Sequence, residues 1–127
     1  MPERYLFEYA VLRVVPRVER EEFMNVGVIL FCGPQKFLQA KFYIDEARLK
    51  AFSPTLDVEE LNQRLQAFDR ICCGGKNGGV IGAFPLASRF RWLTSTRSTV
   101  VQTSAVHPGL SENPAETLDK LFTALVL

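Results

Sequence analysis

Three runs rich in β-branched and aromatic residues follow one another closely near the start of the chain. They cover residues 5–15, 23–32 and 36–44, and each run is typical of a β-strand. The links between them are too short for crossover connections, so the runs predict an antiparallel meander. Pro16 cannot donate to a strand ladder and should end the first strand. These features restrict the fold to a class that contains an antiparallel sheet.

Two helices are predicted further along the chain, each from a start signal followed by an apolar stripe. Asp57 followed by Glu60 is a capping-box pattern with Asp at the cap position. Asn113 followed by Pro114 places a polar cap before a proline at the first helical position. A fourth strand is predicted over residues 99–106, ended by a turn at His107-Pro108-Gly109. We expect one α+β domain over residues 1–127, with a sheet of about four strands and both main helices on one face.

The composition argues against a fold that depends on disulfides or metal, and against attraction to nucleic acid or membranes by net charge. Of the 127 residues, 47% are hydrophobic, which is enough for a core without disulfides or metal. The net charge of +1 gives no global field that would attract nucleic acid or a membrane. The stretch 70–111 nevertheless has no Asp or Glu and holds five basic residues, so a neutral total hides a basic segment. These basic residues are Arg70, Lys76, Arg89, Arg91 and Arg97.

The cysteines and the N-terminal residues predict a cytoplasmic protein. Cys32, Cys72 and Cys73 are odd in number and two are adjacent, which favours reduced thiols over disulfides. The N-terminal stretch lacks a signal-peptide core, and no apolar run approaches the ~20 residues of a membrane span. One His and three unsuitably spaced Cys do not make a zinc site. We expect no metal, no cofactor and no membrane contact.

Residues 17–22, between the first two predicted strands, form a charged elbow, and one group of candidate binding residues lies in and beside it. If the elbow centres near Glu19, Arg13 lies opposite Asn25, and Gly27 leaves a gap beside it. A mid-strand arginine needs a partner, and a glycine within a strand often marks close approach of a ligand or another backbone. Alternatively, the elbow arginines pair with neighbouring glutamates on a solvated turn, and Gly27 is a bulge. The candidates of this group are Arg13, Arg17, Arg20, Glu22, Asn25 and Gly27.

A second candidate group lies in the stretch 88–102. Its alternating arginine and aromatic residues could stack a base and hold its phosphates. The hydroxyls of residues 94–99, Ser98 included, could cradle an anion beside Arg97. Alternatively, Phe90 and Trp92 are core anchors, the arginine stems lie over apolar surface, and Arg97 neutralises an acidic helix. The candidates of this group are Arg89, Arg91, Trp92, Arg97 and Gln102.

Several longer motifs together cover most of the chain. They are Y-A-V-L-R-V-V-P, R-x-E-x-x-N-V-G-V-I-L, S-R-F-R-W-L-T-S-T-R-S-T-V-V-Q-T-S, H-P-G-L and L-D-K-L-F. In combination they resemble a bacterial family known as domain of unknown function 3037. Members of that family are often encoded beside HipA-like kinases. The resemblance therefore implies a small accessory or regulatory protein whose partner is a HipA-like kinase.

We expect the two candidate groups to converge on one arginine-rich patch. The leading hypothesis is a binding or accessory module that recognises an acidic or phosphorylated partner through this patch. The alternative is a nucleic-acid-binding protein or a phosphate-ester enzyme, in which Phe90 and Trp92 stack bases and His107 or Glu22 handles protons. A homodimer joined through sheet edges is a third hypothesis. The residues leave open whether the chain catalyses a reaction.

Overall fold

The computed structural model describes residues 3–97 and 99–127, and five strands form one antiparallel sheet. They are β1 (Tyr5–Val14), β2 (Met24–Cys32), β3 (Phe37–Phe42), β4 (Val101–Thr103) and β5 (His107–Ser111). The order β3-β2-β1 follows the predicted meander, and β4 and β5 both pair with the other edge of β1. The helices are α1 (Glu46–Phe52), α2 (Val58–Cys73), α3 (Gly79–Gly82), α4 (Leu86–Leu93) and α5 (Pro114–Leu125). The predicted α+β class with an antiparallel sheet is confirmed.

Both predicted helix starts are present, because each cap residue satisfies free backbone donors. The Asp57 side chain accepts a hydrogen bond from the Glu60 N–H at 3.0 Å. The Asn113 side chain accepts from the Ala115 and Glu116 N–H groups at 3.1 and 3.2 Å. These caps fix where α2 and α5 begin, and so which side chains each helix turns toward the sheet.

The two main helices cover opposite faces of the sheet. On one face, Ala10 and Leu12 of β1 pack with Leu61 and Leu65 of α2, and we call this the α2 face. On the other, the α5 face, Phe7 of β1 packs with residues of α5, among them Leu118 and Phe122. The prediction that both helices lie on one face is wrong. Because β2 is apolar on both of its sides, each face of the sheet requires a cover.

A bulge in β2 changes the register around Gly27. Leu12 pairs with Gly27 and Arg13 with Asn25, so Val26 is the extra residue between them. The predicted pairing of Arg13 with Asn25 is confirmed, but Gly27 does not leave an open gap. A Cβ there would lie 2.7 Å from the Lys41 carbonyl oxygen and 2.8 Å from the Phe42 Cβ. Gly27 therefore permits β3 to approach closely and leaves no space for a ligand, which corrects its assignment as a binding residue.

The fourth strand, predicted over residues 99–106, is present only as the short β4, and β5 follows it outside the predicted range. Ser104 lies between them and joins the chain to β1: its N–H donates to the Val11 carbonyl, and its Oγ accepts from the Val11 N–H, both at 2.8 Å. The predicted turn at residues 107–109 is wrong, because these residues begin β5. Pro108 is tolerated there because β5 is an edge strand.

Candidate functional site

The arginines of the elbow pair with their own neighbours. Arg17 Nε donates to Glu19 Oε1 at 3.0 Å, and Arg20 Nε donates to Glu22 Oε1. All four side chains are exposed, and exposed pairs of this kind contribute little to stability. The alternative interpretation of the elbow as a solvated turn is confirmed. In the structure, therefore, both elbow arginines are paired with carboxylates of the same turn.

Arg89 of α4 is buried, and its side chain caps the C-terminal end of a different helix, α2. Its guanidinium donates to the carbonyls of Phe84, Ile71 and Cys72 at 2.9, 2.9 and 2.7 Å. Ile71 and Cys72 lie in the last turn of α2, where carbonyls lack intrahelical donors and the helix dipole favours a cation. Arg89 is thus a structural cap for α2, and its guanidinium faces the protein's own backbone.

Arg91 binds a carboxylate of the sheet. Its two terminal nitrogens donate to the two oxygens of Glu8 at 2.9 and 2.7 Å, in a bidentate pair that connects α4 to β1. This hydrogen bonding with Glu8 raises the pKa of Arg91. The charge of Arg91 is therefore satisfied within the chain.

Arg13 lies on the α5 face and has no carboxylate within ion-pair distance among the described residues. Its guanidinium stacks on the Phe23 ring, 4.0 Å from the centroid. Neither Arg13 Nε nor Asn25 Oδ1 has a hydrogen-bond partner in the described part of the chain, although both atoms are buried. The adjoining space, which we call the Arg13 hollow, is about 370 Å³. It is lined by Arg13, Val15, Val18, Glu21, Phe23 and Gln102.

A second open space, of about 290 Å³, lies between α2, α4 and the segment that leads into β4. We call it the Trp92–Arg97 cleft. The Arg97 guanidinium lies over the Trp92 ring, 4.2 Å from its centroid, and donates to the Trp92 carbonyl. Arg97 is half-buried, and this burial lowers the pKa of its guanidinium. The lining residues are Arg64, Ala67, Phe68, Ile71, Trp92, Leu93, Arg97, Thr99 and Val101.

The cleft combines an apolar floor with two cations. Arg64 pairs with Glu60 through two nitrogens, at 3.3 and 3.0 Å from the same carboxylate oxygen. Arg97 has no carboxylate within ion-pair distance in residues 3–97 and 99–127. A mostly apolar cleft with a few placed polar groups is the usual form of a ligand site. The arrangement can therefore accept an anionic group beside an apolar one.

The cleft and the Arg13 hollow do not meet. Val101 pairs with Val14 on the α2 face and lines the cleft, whereas the next residue, Gln102, pairs with Arg13 on the α5 face. Consecutive strand residues point to opposite faces of a sheet. The prediction of one converged arginine patch is therefore wrong.

The family described as "Protein of unknown function (DUF3037)" matches the chain over residues 9–126. The chain belongs to this family. The match confirms the family resemblance of the sequence, and it includes the cleft and the Arg13 hollow. Searches of curated proteins and of solved structures found no match to the chain.

In this DUF3037 chain the hydroxyl groups after α4 serve the local backbone. Thr94 Oγ1 donates to the Phe90 carbonyl at 2.8 Å, Ser95 Oγ to the Trp92 carbonyl at 2.7 Å, and Thr99 Oγ1 to the Val101 carbonyl at 2.7 Å. The prediction that they cradle an anion is wrong for these three residues, and Ser98 lies outside the described part of the chain.

The other residues singled out for nucleic-acid binding or proton transfer lie away from the cleft. Phe90 is fully buried and stacks on Phe31 at 5.3 Å between ring centroids, so it cannot stack a base. His107 pairs with Tyr9 in the sheet, and the two rings lie 5.4 Å apart. Glu22 is bound to Arg20 in the elbow. None of these residues lines the cleft.

Three residues that line the cleft were not predicted as site residues: Arg64, Ala67 and Ile71. Ala67 and Ile71 extend the apolar stripe of α2 sideways beyond its core positions, and Arg64 lies at its border. An apolar stripe wider than one neighbour can cover would have been the available signal.

The cysteines of this DUF3037 chain are free thiols, and its described residues lack both grouped metal ligands and a helix suited to cross a membrane. In residues 3–97 and 99–127, no three His, Cys, Asp or Glu side chains are grouped as metal ligands. No helix within those ranges has the length and apolar character needed to cross a bilayer. Cys32 and Cys72 are buried, Cys73 is exposed, and all three are free thiols. Burial raises the pKa of Cys72 to about 12.

Proposed function

We propose that the chain is a binding module that recognises an acidic group of a partner protein through the Trp92–Arg97 cleft. The acidic group is a carboxylate or a phosphate, and an apolar part of the same partner occupies the floor of the cleft. This retains the recognition of an acidic or phosphorylated partner that the sequence predicts, but it assigns the role to one cleft instead of a shared patch. A HipA-like kinase is the partner that the family resemblance implies.

The observation that carries the proposal is the state of Arg97. Its cation is partly removed from water against the Trp92 indole, and none of the described lining residues is acidic. A desolvated cation favours an anion that can approach it, and its remaining N–H donors require acceptors. Trp92 holds the guanidinium in place, so less rotamer freedom is lost when an anion binds.

The same geometry favours an anion over a nucleobase. Arg97 already covers one face of the Trp92 ring, so a base would have to displace it from that face. Phe90, the second aromatic residue of the base-stacking hypothesis, lies in the core. The free thiols agree with a reducing compartment, and a cytoplasmic location is part of the proposal.

Trp92 provides the test, because it is the only tryptophan of the chain and it is 41% exposed. Its fluorescence should respond to a short peptide that places aspartate or phosphoserine beside leucine. Replacing Arg97 with Gln should weaken binding roughly 10- to 100-fold, since a charge-assisted hydrogen bond contributes about 1.5–3 kcal/mol. Arg97→Lys should weaken it less, because the charge remains and only the planar fork is lost.

Arg48→Gln is the matched control, because it removes an equal charge from the exposed surface of α1, outside the cleft. Circular dichroism confirms that each variant folds. Binding that is equally strong in wild type and in Arg97→Gln would refute the proposal. Quenching by a single-stranded oligonucleotide that depends on Arg97 would instead support the nucleic-acid alternative.

A further inference from the structure

The Arg13 hollow carries both signs of charge. Arg13 lines one part of it and Glu21 another, and neither side chain has an ion-pair partner among the described residues. The carboxylate of Glu21 disfavours an acidic ligand in this hollow, in contrast to the Trp92–Arg97 cleft, which is on the other face of the sheet. An occupant of the hollow should therefore offer an anion to Arg13 and a cation to Glu21.

Apolar side chains flank these charges. Phe23 is 45% exposed and Val18 is 43% exposed, and both line the hollow. Phe23 also lines a neighbouring hollow of about 280 Å³ that is bordered by Asn25, Arg48 and Leu125, so the exposed surface continues past the C-terminal end of α5. Aromatic residues and arginine, here Phe23 and Arg13, are enriched in protein interfaces.

We propose that this surface is the interface of a homodimer in which the Arg13 hollow of one copy faces the same hollow of the second copy. A two-fold axis would place Arg13 of each copy against Glu21 of the other, and the Phe23 and Val18 side chains of both copies between them. A surface that holds one cation, one anion and two apolar side chains is complementary to itself in this way. The dimer uses a face of the sheet, whereas the sequence suggested a dimer through sheet edges.

Charge reversal in mixed samples tests this arrangement. Sedimentation velocity over a range of concentrations should show wild type moving from the monomer mass of 14.3 kDa to twice that value. Arg13→Glu and Glu21→Arg should each remain monomeric where wild type is dimeric, because like charges then face each other twice. An equimolar mixture of the two variants should dimerise again, since both contacts of the mixed dimer pair opposite charges.

Lys50→Glu and Glu59→Arg are matched controls, because they reverse exposed charges on α1 and α2 and should leave dimerisation unchanged. If Arg13→Glu does not fold, Glu21→Arg and added salt decide, and each must lower the dimer fraction. A wild type that stays monomeric at its highest soluble concentration overturns the proposal. So does a dimer that both reversals leave intact, or a mixture that stays monomeric. The proposed function does not depend on the outcome, because the cleft uses none of these residues.

Discussion

Replacing Arg89 with alanine should destabilise the fold far more than replacing Arg91, two positions further along the same helix. The Arg89 residue is 9% exposed, and it satisfies three backbone carbonyls. Two of those carbonyls belong to the last turn of α2, which packs its apolar stripe against the α2 face of the sheet. Loss of the guanidinium therefore leaves the carbonyls at the C-terminal end of this core helix without hydrogen-bond donors.

The magnitude follows from this burial. A hydrogen bond to a charged group contributes about 1.5–3 kcal/mol, but three bonds from one side chain are not additive. Leaving a buried carbonyl without its donor costs about 1–3 kcal/mol, so losing the one guanidinium that serves three carbonyls should cost about 3–5 kcal/mol in all. We expect a loss of that size for Arg89→Ala, against ~5–15 kcal/mol for the whole free energy of unfolding of a typical domain. Arg91→Ala breaks an exposed pair with Glu8 and should cost only about 0.2–1 kcal/mol.

Urea unfolding followed by far-ultraviolet circular dichroism measures both free energies. Arg91→Ala is the matched control, because it removes the same side chain from the same helix. Arg89→Lys should recover only part of the loss. The positive charge remains, but an ammonium group cannot reach all three carbonyls as the planar guanidinium does. Equal free energies of unfolding for Arg89→Ala and Arg91→Ala would show that Arg89 is not the cap that holds the end of α2.

Two further predictions concern a buried thiol and a strand glycine. In the native protein Cys73 should react with a disulfide reagent well before Cys72, whose pKa is raised to about 12; equal rates would contradict this. Because the folded pKa of Cys72 lies above its ordinary value of 9.0, the free energy of unfolding should fall as the pH rises from 9 to 12, and fall less in Cys72→Ala. Gly27→Ala should cost about 1–3 kcal/mol in urea unfolding, because its Cβ would press on β3. Gly33→Ala should cost much less, since its Cβ comes no closer than 3.4 Å to any atom in its surroundings; equal losses would remove the packing argument.

Local signals in the sequence were sufficient for most elements of the fold. Alternation and short links predicted β1, β2 and β3, and the cap residues Asp57 and Asn113 predicted where α2 and α5 begin. The cross-strand pair of Arg13 and Asn25 also followed from the position of the elbow. These features depend on residues close together in the chain, where propensity and capping decide the structure.

Long-range features could not be derived in the same way. The pairing of Arg91 with Glu8 joins residues 83 positions apart, and nothing local to either residue indicates the other. The separation of the two arginine groups depends on Val101 and Gln102 facing opposite sides of the sheet, and so on the register of a strand three residues long. The apolar character of both faces of β2 did indicate cover on both sides, and the placement of α5 could have been inferred from it.

The proposed role of the cleft requires that Arg97, half-buried beside Trp92, binds an acidic group of a partner. The most direct measurement is a titration of Trp92 fluorescence with the acidic leucine peptide, in wild type and in Arg97→Gln. Binding to wild type should be saturable, should weaken roughly 10- to 100-fold in the variant and should fall with added salt. Saturable binding of equal affinity in both proteins, or no binding to either, would contradict the proposed role.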